Sequence, residues 1–110
     1  MVRFLFIAFA LLAFSCSPTN QTVGGACSDD RDCKDRCLKS WPGGFCTVDC
    51  RDDRDCPSDT VCSDRDGGVC LLLCDDNRWC RDTLDDNDYK CDDVRNRDDR
   101  DIRDDVCVPD

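Results

Sequence analysis

Twelve cysteines recur in a fixed rhythm between Cys27 and Cys107, and a thirteenth, Cys16, stands apart near the start of the chain. An odd count leaves one thiol over. With Cys16 set aside, Cys27, Cys33, Cys37, Cys46, Cys50, Cys56, Cys62, Cys70, Cys74, Cys80, Cys91 and Cys107 are an even set that can close six disulfides. Their gaps divide them into three four-cysteine units, at 27–46, 50–70 and 74–107, each separated from the next by three residues. The gaps are 5, 3 and 8 in the first unit, 5, 5 and 7 in the second, and 5, 10 and 15 in the third. The cysteine share exceeds the 8–10% level that marks a disulfide scaffold. Such a chain is expected to be a small disulfide-rich fold, irregular, with short β-hairpins and turns and little or no helix. Four cysteines per unit allow three pairings, and the sequence does not choose among them. An interleaved pattern, first to third and second to fourth, is the preferred expectation.

Cross-links matter here because large apolar residues are scarce. Trp41, Phe45, Leu71, Leu72, Leu73, Trp79 and Tyr89 lead a list too short for a self-sufficient core. Each disulfide removes entropy from the unfolded chain and is worth about 2–4 kcal/mol. Within a unit the pattern reads as a turn, a short extended segment and a glycine pair leading into a second extended segment. The pairs are Gly43-Gly44 before Phe45-Cys46 and Gly67-Gly68 before Val69-Cys70. Glycine pairs permit positive φ and tight hairpins. Residues 69–73 are the best strand candidate. The third unit is stretched: 84–88 and 92–105 read as solvated loops, the second alternatively as a short helix. All 25 acidic residues are Asp, with no Glu and no His. Asp bonds its own backbone in turns, which a loop-built protein uses often.

The segment before the repeat carries an address. Residues 4–14 are an unbroken apolar run of 11 after a basic start at Arg3. That is too short to span a bilayer and matches the core of a signal peptide over 1–15. Ala13-Phe14-Ser15-Cys16 resembles the bacterial lipobox, which implies cleavage before Cys16 and a diacylglyceryl group on its thiol. Residues 16–26 then form a lipidated N-terminus and flexible tether, and 27–110 the repeat domain. An ordinary secretory signal fits the same bond, since Ala13 and Ser15 satisfy the A-x-A pattern. Asn20-Gln21-Thr22 is a glycosylation sequon of use only in a eukaryotic secreted protein. Both readings export the chain, to the outer membrane or cell surface in one case and to the extracellular medium in the other.

The repeat itself carries a family resemblance. Asp30-Arg31-Asp32-Cys33 and Asp53-Arg54-Asp55-Cys56, each followed by Gly-Gly-x-Cys, resemble cysteine-rich lipoproteins of myxobacteria and related deltaproteobacteria across residues 1–91. That family implies an outer-envelope location and no defined activity. Cys50, Asp53, Asp55, Cys56, Pro57 and Cys62 are similar in spacing to the middle of whey-acidic-protein protease inhibitors. There the third cysteine is followed by a fourth, whereas Cys62 is followed by Ser63, so the inhibitor loop has no place here. The first cysteine-rich domain of Dickkopf proteins shares the spacing of the Asp-rich unit.

Chemistry is sparse. Zinc sites and thiol-disulfide catalysts want C-x-x-C or histidine, and the chain has neither. No catalytic residue can be named, because His and Glu are absent and a small chain buries no cleft; an enzyme is not expected. No cofactor is expected either, with one candidate exception. Asp85, Asp86, Asn87, Asp88, Asp92 and Asp93 are hard oxygen ligands of the kind calcium takes, the other reading being a solvated acidic loop. Trp41, Phe45 and Trp79 are candidate binding anchors, or else a miniature core over the disulfides. A net charge of −10 argues against nucleic acid. The expectation is a lipid-anchored extracytoplasmic structural or interaction module, attached to the membrane through its N-terminal lipid and meeting a protein or glycan partner. The alternative is a secreted inhibitor or receptor ligand.

Overall fold

A computed structural model describes residues 21–110. The expected leader, the candidate lipidation site Cys16 and Asn20 of the sequon lie outside the described residues.

The constant five-residue gap folds the same way in the first two units because its Asp residues hold separate backbone groups. Asp29 Oδ1 accepts the Arg31 amide at 2.8 Å, and Asp52 Oδ1 accepts the Arg54 amide at 2.8 Å. Each caps a 3-10 turn, Asp30–Asp32 or Asp53–Asp55. At the end of the gap Asp32 Oδ2 accepts the Ser28 amide at 2.8 Å, and Asp55 Oδ2 accepts the Arg51 amide at 2.9 Å. The middle Asp reaches forward: Asp30 Oδ1 accepts the Cys37 amide, and Asp53 Oδ1 the Cys62 amide, both at 2.9 Å. In the third unit Asn77 does this for the Cys91 amide at 2.9 Å. There the capping residue, Asp76, opens an α-helix, α1 (Asn77–Leu84), instead of a 3-10 turn. Ten residues separate Cys80 from Cys91, which leaves room for two helical turns before the next strand. Asp85, with φ of 51°, ends the helix in the left-handed conformation.

Each turn leads into an antiparallel hairpin. The strands are β1 (Arg36–Leu38) with β2 (Phe45–Thr47), β3 (Thr60–Ser63) with β4 (Val69–Leu72), and β5 (Tyr89–Arg95) with β6 (Arg103–Pro109). In every hairpin the third and fourth cysteines of the unit stand opposite one another: Cys37 and Cys46, Cys62 and Cys70, Cys91 and Cys107. They do not bond to each other. The third bonds back to the first cysteine, in Cys27–Cys37, Cys50–Cys62 and Cys74–Cys91. The fourth bonds back to the second, in Cys33–Cys46, Cys56–Cys70 and Cys80–Cys107. The preferred interleaved pattern is thus present in all three units. One end of the Asp-rich segment is stapled under each strand.

The units are not beads on a string. Asp49 bridges Val69, and the Cys70 amide donates to the Val48 carbonyl at 3.1 Å, so the exit of the first hairpin lies along β4. Ser63 bridges Asn96 and Leu73 bridges Val106, which tie the second hairpin to the third. Buried Asn96 donates from Nδ2 to Asp53 at 3.0 and 3.2 Å and to Asp104 at 3.2 Å. One core cluster runs through all three units, from Val23, Leu38, Trp41 and Phe45 through Val69, Leu71 and Leu72 to Tyr89, Val94, Val106 and Val108. Among the described residues every buried side-chain nitrogen and oxygen has a hydrogen-bond partner.

Two expectations need correction. Residues 92–105 are not a helix and are a solvated loop only at 97–102: 92–95 and 103–105 are strand in the β5–β6 hairpin, whose open end is held by the two disulfides of the third unit. Among the described residues the one α-helix lies earlier, at α1. The tether to residue 26 is not free throughout. Val23 is buried, the Gly24 amide donates to the Cys46 carbonyl at 2.8 Å, and the Cys46 amide donates to the Gly25 carbonyl at 2.8 Å. These groups continue the ladder of the first hairpin, because an unpaired edge of β2 would otherwise bury backbone donors without partners.

Candidate functional site

Among the described residues, sulfur chemistry is closed off by the pairing itself. Three cysteine sulfurs in each unit lie within 4.8 Å of one another, as in a metal cluster, but every one is half of a disulfide. No thiolate remains among them to hold a metal.

Two of the three candidate aromatic anchors belong to the interior. Trp41 is 7% exposed and Phe45 is fully buried. Their ring centroids are 5.1 Å apart, and Tyr89 stands 6.4 Å from each. The Tyr89 hydroxyl donates to the Pro42 carbonyl at 2.7 Å, which joins the first unit to the third. Burial, and then the charge of Asp86, push its pKa far above the usual tyrosine value. Trp41 and Phe45 are therefore a core over the disulfides rather than exposed anchors. Aromatic rings offer the largest buried area available to a chain so poor in aliphatic residues.

The candidate calcium ligands are spread out rather than gathered. Asp85 is the helix cap, Asp86 Oδ1 accepts the Asp88 amide at 2.8 Å, and Asp92 and Asp93 follow on consecutive positions of β5. Consecutive strand residues point to opposite faces. Asp92 Oδ1 takes the Asp93 amide at 2.9 Å and Asp92 pairs with Lys90 at 3.5 Å, while Asp93 pairs with Arg103 at 2.5 Å. The Asp93 amide, with Lys90 beside it, holds the Asp92 carboxyl below its usual pKa. Among the described residues no three carboxylates bring their oxygens within 4.8 Å of one another. The six to eight oxygens of a calcium shell are not assembled there.

Trp79 differs from the other two rings. It is only partly buried, at the start of α1 beside Cys80, and it lines an open groove of about 470 Å³ with Leu73 and Cys74. Leu73 is 39% exposed, one of two large apolar residues so placed among the described residues. Asp59, Asp75, Asp104 and Asp105 rim this groove, with Arg103 as its one cation. Leu73 is held there by its amide donating to the Asp59 carbonyl and by its bridge to Val106. A second groove of about 840 Å³, where the first two units meet Arg97 of the third, carries Arg36, Arg51 and Arg97 among Asp49, Asp55 and Asp66. Its charges largely answer one another, as in the Arg36–Asp49 pair at 2.6 Å. The Trp79 groove combines an apolar floor with a predominantly acidic rim, four carboxylates to one cation, and is the better candidate site. Trp79 stood out in the sequence as a candidate anchor, whereas Leu73, Asp59, Asp75 and Asp105 did not. No local signal marked Leu73: it follows Leu71 and Leu72, which are both buried although they lie on opposite faces of β4.

No protein family, no curated protein sequence and no solved structure matches the chain.

The six disulfides place the folded chain in an oxidising, extracytoplasmic environment. Among the described residues no helix is long and apolar enough to cross a membrane.

Proposed function

We propose that this protein is a lipid-anchored, extracytoplasmic interaction module whose rigid disulfide scaffold presents binding surfaces and performs no catalysis. One observation carries the reading: the twelve cysteines of the repeat are all paired with one another, so Cys16 has no cysteine left in its own chain. A leader over 1–15, cleaved before Cys16, gives that thiol a use, as the site of a diacylglyceryl group. The packed segment from Val23 onward then sets the length of the tether. It begins close to the membrane and ends where the chain enters the first hairpin.

Intact mass of the protein extracted from native membranes tests this, measured without reductant and again after reduction and alkylation. A lipid adduct at Cys16, no alkylation before reduction and twelve alkylated thiols after it are expected. An unlipidated chain with a reactive Cys16, a Cys16-linked dimer or a glycan on Asn20 would replace the anchored module with a secreted inhibitor or receptor ligand.

A further inference from the structure

We infer that the groove between Leu73 and Trp79 docks a basic, extended segment of a partner protein, with a Lys or Arg side chain lying against Trp79 and its charge among Asp59, Asp75 and Asp105. The inference deepens the interaction-module reading and does not depend on the lipid anchor.

The floor and rim make complementary demands. Leu73, Cys74 and Trp79 give a hydrocarbon-like surface that suits the methylene stem of a long cationic side chain. A Trp face attracts an ammonium or guanidinium more strongly than any other ring. Around that floor the carboxylates lack counterions. No hydrogen bond or ion pair engages the side chains of Asp59, Asp75 or Asp105 among the described residues. The one cation at the rim, Arg103, already pairs with Asp93 at 2.5 Å, and Asp104 already accepts from Asn96 at 3.2 Å. An anionic or uncharged occupant would leave this imbalance as it stands, while a cationic one resolves it. The net charge of −10 draws basic partners toward the molecule at long range.

The groove is also preorganised. Leu73 and Trp79 each precede a disulfide cysteine, Cys74 and Cys80, whose partners Cys91 and Cys107 lie on the two strands of one hairpin. The Cys74 amide donates to the Asp105 carbonyl at 3.0 Å, which sets the rim at a fixed distance from the floor. A surface stapled in this way loses little conformational entropy on binding.

The test titrates the oxidised mature protein with an acetylated, amidated tetra-arginine peptide, followed by tryptophan fluorescence and calorimetry. Saturable binding that weakens with added salt is expected. The triple variant Asp59→Asn, Asp75→Asn, Asp105→Asn should weaken it at least tenfold. These carboxylates are exposed and make no contacts the fold needs, and Asn accepts the positive φ of Asp59. A control variant with the same charge change elsewhere, Asp64→Asn, Asp66→Asn, Asp98→Asn, should bind like the parent. Equal weakening by both variants would reduce the effect to net charge and overturn the proposal. So would equal, salt-independent binding of an uncharged leucine-containing peptide, which would make the occupant apolar. Absence of peptide binding to a protein whose mass confirms lipid on Cys16 would sink the groove assignment while leaving the anchor intact.

Discussion

Asp30, Asp53 and Asn77 occupy the same place in successive units and do the same work, each accepting the amide of a third cysteine across the turn at 2.9 Å. That amide lies within the strand to which the first cysteine is cross-linked, so one side-chain oxygen aligns turn and strand for disulfide closure. Asp53 carries more than its counterparts, since its carboxylate also receives the buried Asn96 amide. Asp53→Ala leaves the Cys62 amide without a partner and the Asn96 side-chain amide with Asp104 alone, and is expected to lower unfolding free energy by about 1–3 kcal/mol. Asp53→Asn should cost less, because Asn77 shows that an amide oxygen serves at this position. Denaturant melts of the two variants under non-oxidising-exchange conditions check the order; equal losses would contradict it. The bias toward Asp was legible in the sequence as turn chemistry. The division of labour within each gap was not, because it depends on strands that lie up to 14 residues further on.

At the scale of elements, the glycine pairs are where local sequence and tertiary contact meet. Gly44 has φ of 72°, and a Cβ there would stand 1.9 Å from the Cys27 carbonyl oxygen. Gly67 also has positive φ, at 84°, but a Cβ there meets nothing within 4 Å. Gly44→Ala should therefore destabilise by more than ~1 kcal/mol and scatter the disulfide pairing of the first unit, whereas Gly67→Ala should carry only the backbone strain. Non-reducing peptide maps after refolding distinguish the two; native pairing in both at equal yield would refute the contact argument. The hairpin at β3–β4 was readable from Gly67-Gly68 and the apolar run that follows. The hairpin at β5–β6 was not. Its strands are rich in Asp and Arg and lack apolar alternation, and they pair because Cys91 and Cys107 stand opposite each other with the other two cysteines of their unit beneath them. Arg103 and Asp93 add a cross-strand pair at 2.5 Å on an exposed face. The α1 helix was equally hidden, as it is only eight residues long and its start signal, Asp76, is the same one that opens mere 3-10 turns in the other units.

For the whole molecule, disulfides and a shared core replace the large interior that a chain of this size cannot assemble, and the charge is left on the outside. Protonation then acts through exposed turn carboxylates. Backbone amides of Ser28 and Asp29 hold the Asp32 carboxyl below its ordinary value of 3.8, and Arg54 does the same for Asp52. A group whose pKa is lower in the folded chain contributes stability above its unfolded pKa and loses it as pH falls through the folded one. With no His to titrate, the melting temperature of the oxidised protein is expected to stay level between about pH 5 and 8 and to decline below the ordinary Asp value. Melting curves by circular dichroism read this directly, and a transition near neutral pH would contradict it. The cysteine count and its constant first gap were enough, without coordinates, to determine a small cross-linked fold of three units and an oxidising compartment, because both follow from composition and local spacing. Tertiary structure alone decided which cysteines pair, that Trp41 and Phe45 turn inward while Trp79 and Leu73 stay at the surface, and that four carboxylates ring those two residues. Pairing and exposure depend on which segments pack together across tens of residues, and no local pattern encodes that.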